Sequence, residues 1–203
     1  MAERMAPPAH PGSTRGARAA RLALAGVLAA ALGGQAALAA GLEIDITGEA
    51  EGTVVIDLLE DVAPQHVERI TALAAEGLYD SVVFHRVIEG FMAQTGDVEF
   101  GRMGQDMRMA GRGGSDLPDL PAEFSDIPFE RGVVGMARAQ SPDSANSQFF
   151  IMFAPAPHLD GLYTVVGRVT EGMEVVDAIR RGAGPSGAVT GRPDVMAEVR
   201  VTP

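Results

Sequence analysis

In the segment Phe84–Asp97, FHRVIEGFMAQTGD, one arginine and one glutamine stand on stretches that are otherwise apolar. Five guanidinium N–H groups on an apolar surface are costly unless they find acceptors. Arg86 therefore reads either as an edge-strand side chain reaching out to water or as a cation held in place for use. The chemistry open to it is charged hydrogen-bond donation from a planar, permanently protonated group.

Which side chains meet depends on how the two stretches pair around the Glu89-Gly90 turn. A two-residue loop would set Arg86 opposite Ala93. A three-residue loop of Glu89, Gly90 and Phe91, with a residue near the left-handed conformation, pairs Ile88 with Met92 and Arg86 with Gln94. The second register puts Phe84, Arg86, Ile88, Met92 and Gln94 on one face and leaves Phe91 at the bend, leaning over it.

Other chemistries find less support. The chain has no cysteine, which excludes disulfides, thiolate nucleophiles and Cys-ligated metals together. No Ser/His/Asp set accompanies a nucleophile elbow. Asp116, Asp119, Glu123 and Asp126 lack the spacing of a calcium loop and read as a solvated acidic loop, so no metal is expected. Gly111, Gly113 and Gly114 do not join a strand to a helix, so they read as a mobile loop and not as a phosphate cradle. His85 neighbours Arg86, points to the opposite face and reads as a hydrogen-bonded structural histidine, while His66 reads as a solvated residue of a helix.

The elements that must position Arg86 and Gln94 follow from periodicity. Thr53–Leu59 alternates as a strand. Val67, Ile70, Leu73 and Ala74 recur at helical spacing within Ala63–Gly77, with Asp61 as N-cap and Pro64 in the first turn. Short apolar runs then recur at Val82–Ile88, Met92–Thr95, Gly132–Ala137, Gln148–Phe153, Thr164–Val169 and Val195–Val201. A second helix fits Met173–Arg181 between two glycines. About eight mostly antiparallel strands with a helix near each end point to a mainly β fold, a closed eight-stranded barrel capped by two α-helices.

The sixteen basic residues are all arginine and face 27 acidic ones, for a net charge of −11. Such an excess disfavours nucleic acid and anionic membrane surfaces as partners. Arg15, Arg18 and Arg21 precede an apolar run, Leu22–Leu38, that ends in Ala37-Leu38-Ala39, the pattern of a signal peptide cleaved before Ala40. Residues 1–39 are thus expected to be a signal and 40–203 one domain, periplasmic or otherwise exported and without stable membrane insertion. The alternative is an uncleaved inner-membrane anchor, since the run borders on the length a bilayer needs. Monomer is the default state.

FHRVIEGFMAQTGD resembles the FHR-x-I-x-GFM-x-Q-x-GD signature of the cyclophilin family at every fixed position. Val134–Ala139 with Ser147–Ile151 is similar to its MA-x-A and SQFFI elements, and His158–Gly161 through Val169 to its LDG and V-F-G-x-V stretch. The likeness runs from about Gly52 to Arg180. It implies the family's barrel and its activity, cis/trans isomerisation of peptide bonds before proline, without a cofactor.

By the same resemblance, Arg86 is the catalytic cation and Gln94 its orienting amide. Phe91, Met92, Phe150 and Leu159 form the proline pocket. Ala137, Arg138 and Gln148 contact the substrate backbone, with His158 and Tyr163 at the rim. His158 stands where the best-known cyclosporin-binding members carry Trp, which argues against strong cyclosporin binding. The implied partners are proline-containing polypeptides, above all unfolded exported proteins; the alternative is a peptide-binding or chaperone module whose catalysis is incidental.

Overall fold

A computed structural model describes residues 40–203, so the expected signal segment lies outside the described residues. The chain runs β1 (Gly41–Thr47), β2 (Gly52–Leu58), α1 (Pro64–Ala75), β3 (Val82–Val83), β4 (Arg86–Ile88), β5 (Met92–Thr95), β6 (Val133–Arg138), β7 (Ala145–Met152), β8 (Val165–Glu171), α2 (Met173–Ala178) and β9 (Val195–Thr202). A single 3-10 turn, Pro157–Leu159, lies between β7 and β8. The strands form one antiparallel sheet in the order β3-β9-β1-β2-β8-β6-β7-β5-β4.

This corrects the expected eight-stranded closed barrel. Among the described residues the sheet has nine strands and two edges, β3 and β4, which follow each other in the chain without pairing. The extra strand arises because Val82–Ile88, which reads as one apolar run, divides at Phe84-His85. There the Phe84 N–H donates to the Asp194 carbonyl at 2.9 Å and the His85 carbonyl accepts from Val189 at 3.0 Å. The exposed side of β4 is covered by Gly182–Val189, through Val87 N–H to Gly187 O at 2.7 Å and Gly182 N–H to Val87 O at 2.9 Å. Covered edges do not template pairing with other chains.

Alternation sorts the side chains into two apolar groups. Phe149, Ile151 and Phe153 join the main core with Ile44, Ile56, Ile70, Leu73, Phe84 and Val87. Phe150 and Met152 face the other way, into a smaller cluster with Met92, Phe129, Val133, Leu159 and Val165. Strand period two therefore puts the scaffold on one side of β5 and β7 and the hollow on the other.

Both helices differ from expectation at an end. Asp61 does not cap α1: its flanking residue is Ala63, which has no side-chain cap, and Pro64 occupies the first turn. Glu123, 58 positions away, accepts the N–H of Gln65 at 3.3 Å and Glu123 Oε2 that of His66 at 3.2 Å. A carboxylate there satisfies donors that every helix start leaves open and suits the positive end of its dipole. The second helix stops at Ala178, short of Arg181, because Ile179 is extended and the Arg180 N–H goes to Asp194 Oδ2 at 2.6 Å.

Candidate active site

The hairpin takes the three-residue loop. Ile88 pairs with Met92, Val87 with Ala93 and Arg86 with Gln94. Gly90 sits at φ +69°, a conformation that costs glycine little, and nothing crowds it. Arg86 and Gln94 thus leave the sheet side by side on the face away from the main core.

The guanidinium is held at two nitrogens. Nε donates to the Ser186 carbonyl at 3.0 Å and Nη1 to Gln94 Oε1 at 3.1 Å, while Nη2 makes no hydrogen bond to a described residue. Burial lowers the Arg86 pKa below its ordinary value, with Tyr163 acting the other way. Gln94 Nε2 donates to Gln148 Oε1 at 2.9 Å, and Gln148 Nε2 to the Gly113 carbonyl at 2.8 Å.

Beside this pair lies a hollow of about 170 Å³ lined by Arg86, Phe91, Met92, Gln94, Ala137, Arg138, Phe150, Leu159 and Tyr163. Its apolar floor is rigid. Phe150 stacks on Phe129 at 5.8 Å and meets Tyr163 edge-on at 5.9 Å. Phe129 is fixed in turn by its N–H, which donates to Asp160 Oδ1 at 2.7 Å. The Arg138 guanidinium lies 4.3 Å over the Tyr163 ring and donates to the carbonyls of Ala139, Gln140 and Leu162.

Nine of the eleven residues proposed from sequence therefore meet around one hollow. Gln148 lines an adjoining cavity of about 330 Å³ instead and reaches the hollow through Gln94. The ladder between β6 and β7 slips between Met136 and Arg138, at the level of Gln148; such an irregularity re-aims side chains. His158 does not line the hollow. The turn Pro157–Leu159 buries Leu159 and leaves His158 exposed, stacked on the outer side of Phe91 at 5.7 Å.

The arrangement offers an apolar socket for a small ring and a fixed cation at its wall, with no cluster among the described residues placed to hold a metal. Residues 42–201 match the family described as "Cyclophilin type peptidyl-prolyl cis-trans isomerase/CLD". The chain belongs to the cyclophilin-type peptidyl-prolyl cis-trans isomerases. A probable peptidyl-prolyl cis-trans isomerase of Brucella suis is 54% identical over 153 residues, which cover 74% of this chain and 78% of the relative. An isomerase of Arabidopsis thaliana is 36% identical, covering 64% of this chain and 78% of the other.

Among solved cyclophilins, AquaCyp293 from Hirschia baltica superposes with a TM-score of 0.65 at 27% identity, over 79% of this chain and 73% of the other. A Cryptosporidium parvum cyclophilin solved in the presence of the dipeptide Ala-Pro shares the fold, with a TM-score of 0.67 at 24% identity over 80% and 99% of the two chains.

Four groups that support this cyclophilin site were misread or missed in the sequence. His66 is not solvated: it is fully buried, with Nδ1 2.6 Å from Glu123 Oε2. Its place four residues before Ile70 and seven before Leu73 puts it on the apolar face, the signal that could have found it. Glu123 does not belong to a solvated acidic loop, since its side chain is only 12% exposed and is held by Gln65 and His66; burial raises its pKa, but those hydrogen bonds outweigh it and the net shift is downward. His85 is buried as expected, yet neither ring nitrogen has a hydrogen-bond partner among the described residues. The Ser186 carbonyl had no signal, because a backbone oxygen 100 positions away carries none.

Proposed function

We propose that Arg86 speeds rotation of the bond before a proline seated in the hollow, by donating to the prolyl nitrogen as the bond twists. Rotation breaks amide resonance, a barrier of about 18–20 kcal/mol. At the twisted transition state the nitrogen becomes pyramidal and recovers its lone pair, so a donor aimed at it binds that state better than either planar form. The pyrrolidine ring packs against Phe91, Met92, Phe150 and Leu159, which holds one side of the bond while the other turns. Ala137, Arg138 and Gln148 contact the flanking backbone, Tyr163 shapes the rim, and His158 backs Phe91 from outside the hollow.

The observation that carries this reading is the guanidinium itself: two nitrogens are anchored, the third has no hydrogen-bond partner among the described residues, and the group lines an apolar socket. A planar fork held in this way is already oriented before substrate arrives. The test is isomerisation of a proline peptide by wild type, Arg86→Ala and Arg86→Lys. Arg86→Ala should lose about a hundredfold in kcat/KM, the scale for one preorganised donor, and Arg86→Lys should recover only part of it. Wild-type turnover by Arg86→Ala would overturn the reading.

The clients we propose are unfolded exported polypeptides. Support comes from Arg15, Arg18, Arg21 and the apolar run ending in Ala37-Leu38-Ala39, which read as an export signal. Cell fractionation tests it: a shortened chain among periplasmic proteins is expected, and a full-length chain in the cytoplasm would refute it.

A further inference from the structure

The segment from Asp97 to Gly113 leaves the sheet just beyond β5 and returns beside the hollow, and one carboxylate binds both of its ends. Asp97 Oδ1 accepts the N–H groups of Glu99 at 3.1 Å and Phe100 at 2.9 Å. Its Oδ2 accepts those of Gly111 at 2.7 Å and Gly113 at 3.1 Å. The side chain is fully buried, at 0% exposure, so these four donors replace its water shell. A carboxylate with both oxygens engaged in this way is held far more firmly than a neutral acceptor.

From Gly113 an unbroken line of hydrogen bonds runs to Arg86. Gly113 gives its N–H to Asp97, and its carbonyl, on the following peptide unit, accepts from Gln148 Nε2 at 2.8 Å. Gln148 Oε1 accepts from Gln94 Nε2 at 2.9 Å, and Gln94 Oε1 accepts from Arg86 Nη1 at 3.1 Å. Every link has one direction, which fixes both amide groups: the Gln94 oxygen can face Arg86 only while its NH2 finds the Gln148 oxygen. From the Gly113 carbonyl onward the bonds through the two amides polarise one another, while Asp97 fixes the position of that carbonyl.

The glycines make the close approach possible. A Cβ on Gly113 would stand 2.6 Å from Asp97 Oδ1 and 2.7 Å from Glu99 Cβ. Gly111 has φ +91°, and a Cβ there would meet His85 Cδ2 at 2.9 Å. The loop expected to be mobile is thus seated on the carboxylate at this end.

We propose that Asp97 is a positioning residue for Arg86, acting through Gly113, Gln148 and Gln94. This rests on the reading of Arg86 as the donor to the prolyl nitrogen. Removing the charge at Asp97 frees the Gly111–Gly113 turn, withdraws the Gly113 carbonyl from Gln148 and lets Gln94 turn away from Arg86. The consequence is a loss in turnover more than in peptide binding, since the apolar wall of the hollow is untouched.

The test is a double-mutant cycle on the full chain with a proline-peptide assay, corrected for the folded fraction. Asp97→Asn should lower kcat by up to about tenfold, since it acts only through Gln94, and leave KM nearly unchanged. In a Gln148→Leu background the same substitution should add little, because the line is already cut. A wild-type kcat for folded Asp97→Asn, or its full loss repeated in that background, would overturn the positioning role. If Asp97→Asn does not fold, Gln148→Leu alone decides: a lowered kcat is expected, and an unchanged one overturns the proposal. Arg86→Ala run alongside separates the failures. If Arg86→Ala turns over like wild type, the donor reading falls; if it is inactive while Asp97→Asn keeps the wild-type kcat, only the positioning role falls.

Discussion

Arg86 and Gln94 stand directly opposite each other across the β4–β5 hairpin, and the amide oxygen of Gln94 takes one guanidinium N–H at 3.1 Å. The neighbouring nitrogen, Nε, is taken by the Ser186 carbonyl on the far side. The cation is therefore gripped between a side chain of its own hairpin and a backbone oxygen of a distant loop.

Gln94→Leu should remove one of these grips while filling nearly the same volume. The expected result is a loss of about tenfold in kcat/KM, equal to 1.4 kcal/mol of transition-state stabilisation, with thermal stability close to wild type. Steady-state isomerisation kinetics with a melting curve check both.

Gly135→Ala should disturb the floor of the hollow. A Cβ there would approach ring carbons of both Phe129 and Phe150 to 2.6 Å. Overpacking of this kind costs about 1–3 kcal/mol. Because the displaced Phe150 ring lines the socket, KM for a proline peptide should rise along with the fall in Tm.

Glu123→Gln should destabilise the domain in a pH-dependent way. The amide keeps an acceptor for the start of α1 but cannot meet buried His66 with a charge. A cost of about 1–3 kcal/mol is expected at neutral pH. The Glu123 carboxyl is lowered from its ordinary 4.5, so its contribution is full above 4.5 and is lost as pH falls through the lower folded value. Urea titrations should show wild type and variant converging below 4.5 and separated above it.

His85→Leu should flatten a different part of the stability profile. Burial lowers the His85 pKa from 6.5, partly opposed by the charge of Asp97. The unfolded chain then binds a proton that the folded one refuses, so wild type keeps its full stability above 6.5 and loses it as pH drops toward the folded value. Since neither ring nitrogen has a hydrogen-bond partner among the described residues, leucine should cost little at neutral pH and remove the slope below 6.5. A slope unchanged by the substitution would place its origin elsewhere.

The hairpin register was half legible. Loop chemistry narrowed it to two pairings and alternation put Met92 on the face of Arg86, whereas the resemblance supplied Phe91, Phe150 and Leu159 as socket residues. The three motifs carried the family, and the short apolar runs and two helical stretches had already given the mainly β fold class. Apolar content misled at Val82–Ile88, where one continuous run became β3 and β4 at opposite edges of the sheet.

What the sequence determined by itself was local: which residues form strands and helices, which face of each is apolar, and that Arg86 and Gln94 could meet across a turn. Tertiary structure alone decided what held them there. The Ser186 carbonyl on Arg86, the carboxylate of Asp97 under the Gly111–Gly113 turn and the Glu123 cap on α1 each join positions far apart in the chain. The reason is physical. Hydrophobic periodicity is written in neighbouring residues, whereas a buried backbone donor or acceptor must be satisfied by whatever the folded chain brings within 3 Å, and nothing in its own residue type says who that partner is.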